Sequence, residues 1–226
     1  MRGLTQFEIK NSMNTDPRPT LIAAARQFYQ MGWMVGTAGN LSARMPDGRF
    51  WITASGRSKG QLTTDDFILM TLDTDQDEVY FAPTQPHPHR RPSAETSIHA
   101  VIYRLFPDAQ ACYHIHSIEA NLVSRFVISD TLPLPPLEML KGLGVWEENP
   151  QVAMPVFANH LEVSRIASEI CDYFKVTIPQ VPVLLIRDHG VTVWASSLED
   201  ASNYLEIAGY IFRYMVAERK IGMRLG

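Results

Sequence analysis

Cysteine is scarce: Cys112 and Cys171 are the two in 226 residues, too few for a disulfide framework and typical of a chain kept in a reducing compartment. Basic charge is not in excess either. Twenty Lys and Arg stand against twenty-four Asp and Glu, a formal net charge of −4, and there is no basic stripe of the kind that displaces counterions from phosphates, so no nucleic-acid partner is expected. Long apolar runs are missing: no stretch approaches the roughly 18 residues that would span a bilayer. The N-terminal MRGLTQFEIKNSMNTDP holds no apolar core of a signal peptide. These absences predict a cytoplasmic chain without membrane contact. Pro, Gly and Ser do not gather into a linker and no repeat is visible, so 1–226 is expected to be one domain, with about the first 15 residues forming a flexible arm.

What the sequence does contain is ordinary globular material, 46% hydrophobic and 19% charged, enough to bury a core without staples. Asp16-Pro17 is a helix start signal, and Leu21, Ile22, Ala25, Phe28 and Tyr29 make an apolar stripe that predicts a helix to about Met34. Strands are expected at Asn40 to Arg44 and Phe50 to Ala54 around the turn Pro46-Asp47-Gly48, then at Phe67 to Leu72 and Val79 to Phe81 around an acidic turn. After the Pro-rich loop Ala82 to Pro92, Ser93 is a candidate N-cap for a helix reaching Phe106. A strand Ala109 to His116, a helix Ile118 to Phe126, a short helix Glu138 to Leu143, a strand Val152 to Phe157 and a helix Leu161 to Phe174 follow. Val183 to Ile186 and Val191 to Trp194 flank a tight turn. Tyr204, Ile207, Ala208, Ile211 and Met215 mark the last helix. Hairpins between helices predict an α/β fold with a mixed, mainly antiparallel sheet.

Cys112-Tyr113-His114-Ile115-His116 is the strongest chemical signal. The period-2 geometry of a strand puts His114 and His116 on one face, where two imidazoles can share a metal. His87-Pro88-His89 has the same spacing, but its prolines and the neighbouring Arg90 and Arg91 place it in an exposed loop with no rigid support for ligands. A catalytic zinc usually takes three protein ligands and leaves one position open. The best third candidate is His189, because Asp188-His189-Gly190 turns sharply between two apolar strands, although a solvent-exposed turn histidine would read the same. His99 and His160 read as packing or capping residues. Cys112 shares the histidine face and reads either as a fourth ligand or as a buried thiol.

Gly39-Asn40-Leu41-Ser42, Thr53-Ala54-Ser55-Gly56, Arg91-Pro92-Ser93-Ala94-Glu95, His114-Ile115-His116 and Arg187-Asp188-His189-Gly190 occur in that order. Together they resemble the class II aldolase/adducin family from about Leu21 to Met215. Ser58-Lys59-Gly60, the segment Glu138 to Glu148 and Arg187-Asp188-His189-Gly190-Val191 are most similar to the dehydratases of that family. The resemblance implies a three-layer α/β/α fold and one Zn2+ per subunit on His114, His116 and His189. It also implies a small phosphorylated ketose as substrate, and a homotetramer with active sites at subunit interfaces. Asn40, Ser55, Gly56 and Ser93 match the family's phosphate-binding positions, and Lys59 either adds charge there or sits in solvent. Short polar side chains beside glycines suit that task, because backbone N–H groups can approach an anion. Ala94 stands where aldolases often have a second serine.

Dehydration beside a ketone needs a base for the proton alpha to the carbonyl, an electrophile for the developing enolate and an acid for the departing hydroxide. Zinc supplies the electrophile. Glu95 matches the position of the aldolases' acid/base, whereas Glu138 lies where the dehydratases' acid/base is expected, so Glu138 is the favoured proton carrier. An aldolase or 4-epimerase acting on another ketose phosphate would use the same site. A non-catalytic adducin-like interaction domain would keep the fold without needing the metal. Trp33, Trp146 and the aromatic-rich last helix offer apolar surface for assembly.

Overall fold

The computed structural model describes residues 16–73 and 80–225. The expected N-terminal arm, the turn at 74–78 and the start of the strand expected from Val79 lie outside them. Helix α1 (Arg18–Gln30) opens with Asp16 accepting hydrogen bonds from the backbone N–H and guanidinium of Arg18, at 3.1 and 2.8 Å from Oδ1. It buries Leu21, Ala24, Ala25 and Phe28, while Tyr29 is exposed. It ends four residues before Met34, because the chain turns at Gly32 with φ +75°, a conformation that favours glycine. Trp33 and Met34 then fold back into the core: Trp33 is 6% exposed and stacks on Phe28 at 5.8 Å. Trp33 therefore offers no surface for assembly, contrary to the expectation, whereas Trp146 is 75% exposed.

The strands are β1 (Asn40–Arg44), β2 (Phe50–Thr53), β3 (Phe67–Asp73), β4 (Tyr80–Pro83), β5 (Ala111–Ile115), β6 (Thr131–Pro133), β7 (Ala153–Phe157), β8 (Val183–Ile186) and β9 (Gly190–Ala195). They form one sheet in the order β4-β3-β2-β1-β5-β9-β8-β7-β6. All neighbouring pairs are antiparallel except β7 with β8, which makes the sheet mixed and mainly antiparallel. The short edge strand β6 had no counterpart among the expected strands; three residues with a proline carry too little alternation to register.

Helices cover both faces. The remaining ones are α2 (Thr96–Leu105), α3 (Ile118–Ser124), α4 (Val163–Val176) and α5 (Leu198–Leu225), with 3-10 turns at Lys59–Gln61, Thr64–Asp66 and Glu138–Leu143. One face packs Tyr113, Ile115, Val191 and Val193 with residues of α1, α3 and α5. The other packs Ile52, Cys112, Leu184 and Trp194 with residues of α2 and α4. Alternation along β5 and β9 thus separates two apolar cores, each large side chain in them contributing about 1.5–3 kcal/mol. Helix α2 starts later than expected. Glu95, not Ser93, stands at its N-cap, and the Ser93 hydroxyl accepts from the Glu95 backbone N–H at 3.3 Å.

Candidate metal centre

The register of the central strands brings the functional side chains together. Asn40 on β1 pairs with His114 on β5, and His114 pairs with Thr192 on β9. His116 lies one residue beyond β5, its backbone N–H donating to the Trp33 carbonyl at 2.9 Å. His189 sits in the β8–β9 turn, where its N–H closes onto the Ile186 carbonyl at 3.1 Å and Asp188 takes φ +54°. That turn is held from outside: Arg187 donates to the carbonyls of Ser124 and Val127, both at 2.6 Å, and the Asp188 N–H donates to the Ser124 hydroxyl at 3.0 Å. Gly190 makes the approach possible. A Cβ there would stand 2.3 Å from the Ile115 carbonyl and 3.0 Å from both His114 and His116 rings.

The three imidazoles converge through Nε2. His114 and His116 Nε2 are 2.8 Å apart, and Glu95 Oε1 lies 2.7 Å from His189 Nε2, 3.4 Å from His114 Nε2 and 3.9 Å from His116 Nε2. All four donors fall within 4.8 Å of one another. His114 Nδ1 is engaged by the Thr192 hydroxyl at 2.8 Å, which orients the ring and leaves Nε2 for the centre, as hydrogen bonds behind metal ligands do. His189 Nδ1 is buried with no hydrogen-bond partner among the described residues.

Burial pulls His114 well below the usual imidazole value and His116 to about 4, against the opposing charge of Glu95. Neutral imidazoles are the form that ligates metal. Burial alone would raise the Glu95 carboxyl, but the charge of His114, the hydrogen bond and charge of His189 and the charge of His116 outweigh it and hold the group below the carboxylate range. Three imidazole nitrogens and one carboxylate oxygen around a single point fit a divalent metal. Two neighbouring Nε2 atoms at 2.8 Å need a cation or a proton between them.

Beside these donors lies a cavity of about 180 Å³ lined by Asn40, Ser55, Gly56, Lys59, Ser93, Glu95 and His116, among others. All five positions singled out for phosphate therefore border one space. Asn40 Nδ2 donates to Glu95 Oε2, and its second N–H remains to be given. Lys59 is not in solvent: it is 2% exposed, and Nζ donates to the carbonyls of Thr37 at 2.8 Å and Arg57 at 2.9 Å. Burial lowers its ammonium to about 8, with the Glu95 charge opposing.

Glu138 is not part of this gathering within the chain. It begins the 3-10 turn Glu138–Leu143, its side chain 85% exposed and paired with Lys141 at 3.0 Å. Cys112 is fully buried beside α2, its thiol pushed far up by burial, and stands outside the donor cluster. His160 pairs with Glu169 at 2.8 Å, and His87 and His89 line an adjoining cavity with Arg90 and Arg91 that shares Ser55 and Gly56 with the first. His99, read as a packing residue, proves to be wired to Asn40; nothing in its helical spacing distinguished it from a core residue.

The profile of the class II aldolase and adducin N-terminal domain matches residues 19–216. A methylthioribulose-1-phosphate dehydratase of Microcystis aeruginosa is 62% identical over 207 residues, 92% of this chain and 98% of the relative. One from Leptospira biflexa is 43% identical over 195 residues, 83% of this chain and 90% of the relative. Among solved structures, L-fuculose-1-phosphate aldolase from Thermus thermophilus shares the fold with TM-score 0.69 at 21% identity, covering 90% of this chain and 94% of the other.

Proposed function

The chain belongs to the class II aldolase and adducin family, and from that premise we propose that it is a hydro-lyase of methionine salvage. Its reaction converts 5-methylthioribulose 1-phosphate to 2,3-diketo-5-methylthiopentyl 1-phosphate and water. The observation that carries a metal-dependent sugar-phosphate chemistry is the convergence of three imidazole Nε2 atoms and one carboxylate on the edge of a polar cavity. The choice of dehydration rests on the likeness to dehydratases along nearly the whole chain.

In this reading His114, His116 and His189 hold one zinc ion per subunit, a nitrogen-rich donor set that suits zinc better than magnesium or calcium. When bound, the metal supplies Lewis-acid stabilisation of the charge that develops on the substrate carbonyl oxygen. Glu95 Oε1 faces the same point and would serve as a fourth donor at the edge of the cavity that receives the substrate. Its carboxyl, held ionised, is a weak proton donor at neutral pH. Asn40, Ser55, Gly56, Ser93 and Lys59 receive the phosphate. The proton is moved by Glu138, whose carboxylate takes it from C3 and returns it to the leaving C4 hydroxyl, after which the enol tautomerises to the diketone. Because Glu138 is exposed and absent from its own chain's cavity, it reaches the site of a neighbouring copy in a homotetramer.

The test is turnover of 5-methylthioribulose 1-phosphate beside other ketose phosphates. Water loss confined to the methylthio substrate is expected; carbon–carbon cleavage of another ketose phosphate with no dehydration overturns the reading. Glu138→Gln should keep metal and lose at least about a hundredfold in kcat, with Glu95→Gln acting first on metal retention. Near-normal kcat in Glu138→Gln, with kcat collapsing in a metal-loaded Glu95→Gln, moves the proton to Glu95 and the reading towards an aldolase.

A further inference from the structure

Behind the cavity a line of buried polar groups crosses from α2 to β1. Tyr103 OH lies 2.7 Å from Ser42 Oγ, Ser42 Oγ 2.6 Å from His99 Nδ1, and His99 Nε2 2.5 Å from Asn40 Oδ1. Asn40 Nδ2 then reaches Glu95 Oε2. Ser42, His99 and Tyr103 are 0% exposed, Asn40 2% and Glu95 8%. None of the first three touches the cavity or the metal-facing atoms.

The direction of the line follows from the Asn40 amide. Its Nδ2 donates to Glu95 Oε2 and its Oδ1 faces His99 Nε2, so the NH2 is turned to the carboxylate and the oxygen to the ring. That oxygen only accepts, so His99 must carry its proton on Nε2. Burial lowers His99 to about 4, against the Glu95 charge, so the ring is neutral and Nδ1 bears a lone pair. Ser42 therefore donates to Nδ1 and receives from Tyr103. Ser42 Oγ also lies 3.2 Å from the Cys112 carbonyl, a longer contact that this assignment leaves without the hydroxyl proton.

We propose that His99, backed by Ser42 and Tyr103, is a positioning residue that fixes the Asn40 amide in the one orientation able to hold the Glu95 carboxylate at the metal-facing point. An Asn40 amide turned over would set its oxygen against the Glu95 carboxylate, two acceptors without a proton between them in a buried site. His99 excludes that state, since its Nε2–H would then face an NH2. The inference deepens the reading of the site as a metal centre, and its main readouts need no substrate.

The experiment has two arms. In the intact protein, ¹⁵N NMR of the His99 ring should show a protonated Nε2 and a bare Nδ1 at neutral pH; a proton on Nδ1 instead overturns the proposal. In variants, Zn2+ affinity is measured by chelator competition. His99→Leu should weaken Zn2+ by about tenfold or more, the range seen when groups behind metal ligands are removed. His99→Gln, which can still donate to Asn40, should recover most of it. If His99→Leu does not fold, Ser42→Ala with Tyr103→Phe decides. That pair leaves the Asn40 contact in place but removes the donor to Nδ1, so the ring should lose its single tautomer and Zn2+ affinity should fall. Affinity within twofold of the parent in every folded variant overturns the inference, and does so whether or not the protein dehydrates methylthioribulose phosphate.

Discussion

At the scale of single residues, the centre is held by groups whose neighbours have already settled their protonation. His114 has Thr192 on one nitrogen and the convergence point on the other, so removing any one imidazole leaves two ligands and an ionised Glu95. His116→Ala is therefore expected to lose stoichiometric zinc while the sheet stays folded, because His116 lies past the end of β5 and outside both apolar cores. Metal analysis of the purified variant checks it; zinc persisting at one per chain would remove His116 from the site. Lys59 makes a separate prediction through pH. Its folded pKa is about 8 and its ordinary value 10.5, so between those values the unfolded chain binds more protons than the folded one. Stability contributed at Lys59 therefore rises with pH across that window, and the desolvation cost is fully present below it. Denaturant midpoints of the metal-free protein and of Lys59→Met, compared from pH 7 to 10, should shift in favour of the parent as pH rises. A constant difference would mean the ammonium is not desolvated.

At the scale of elements, the site depends on the close approach of the β8–β9 turn to the end of β5. Gly190 is needed there for space rather than for backbone freedom, since an added Cβ would meet the Ile115 carbonyl at 2.3 Å. Gly190→Ala should cost about 1–3 kcal/mol by overpacking, lowering the melting temperature by several degrees, and should weaken metal binding because the same Cβ presses on His114 and His116. A variant with parental melting temperature and metal content would show that the turn can yield. This approach also explains what could be read in advance. The alternation in Cys112 to His116 gave the two-histidine face, and the apolar runs around Asp188-His189-Gly190 gave the turn, because both are local patterns. The end of α1 at Gln30 was marked by a local signal, the glycine at 32, that the apolar stripe running past it obscured, whereas the edge strand β6 and the burial of Trp33 were not legible, since each is decided by what packs against it. His99 belongs with these: its partners on β1 are 57 and 59 residues away in sequence, and no spacing within α2 announces them. Glu95 and Glu138 could be named as candidates from their motifs, but only the register of the sheet and the N-cap of α2 separate the carboxylate beside the imidazoles from the exposed one.

At the scale of the whole molecule, the exposed carboxylate raises the matter of assembly. Glu138 is set in a turn with Met139 exposed, next to a cavity lined by Met31, Ile207 and Tyr210, and Met31 and Tyr210 are 40% and 46% exposed. The same cavity carries Asp200, Glu206 and Arg213, so apolar and charged side chains are mixed around this accessible carboxylate, a composition compatible with contact to another copy. If the proton carrier comes from a neighbour, a working site combines the imidazoles of one chain with Glu138 of another. Two variants that are each inactive, His116→Ala and Glu138→Gln, then complement each other when co-expressed: a site formed by the metal-binding half of a Glu138→Gln chain and the carboxylate of a His116→Ala chain is intact. Random pairing across a symmetric interface gives about a quarter of sites of that kind, so roughly a quarter of the parental turnover is expected from the mixture. Activity no higher than the separately expressed variants, in a mixture shown by sedimentation to be co-assembled, would confine each site to one chain and leave proton transfer to Glu95.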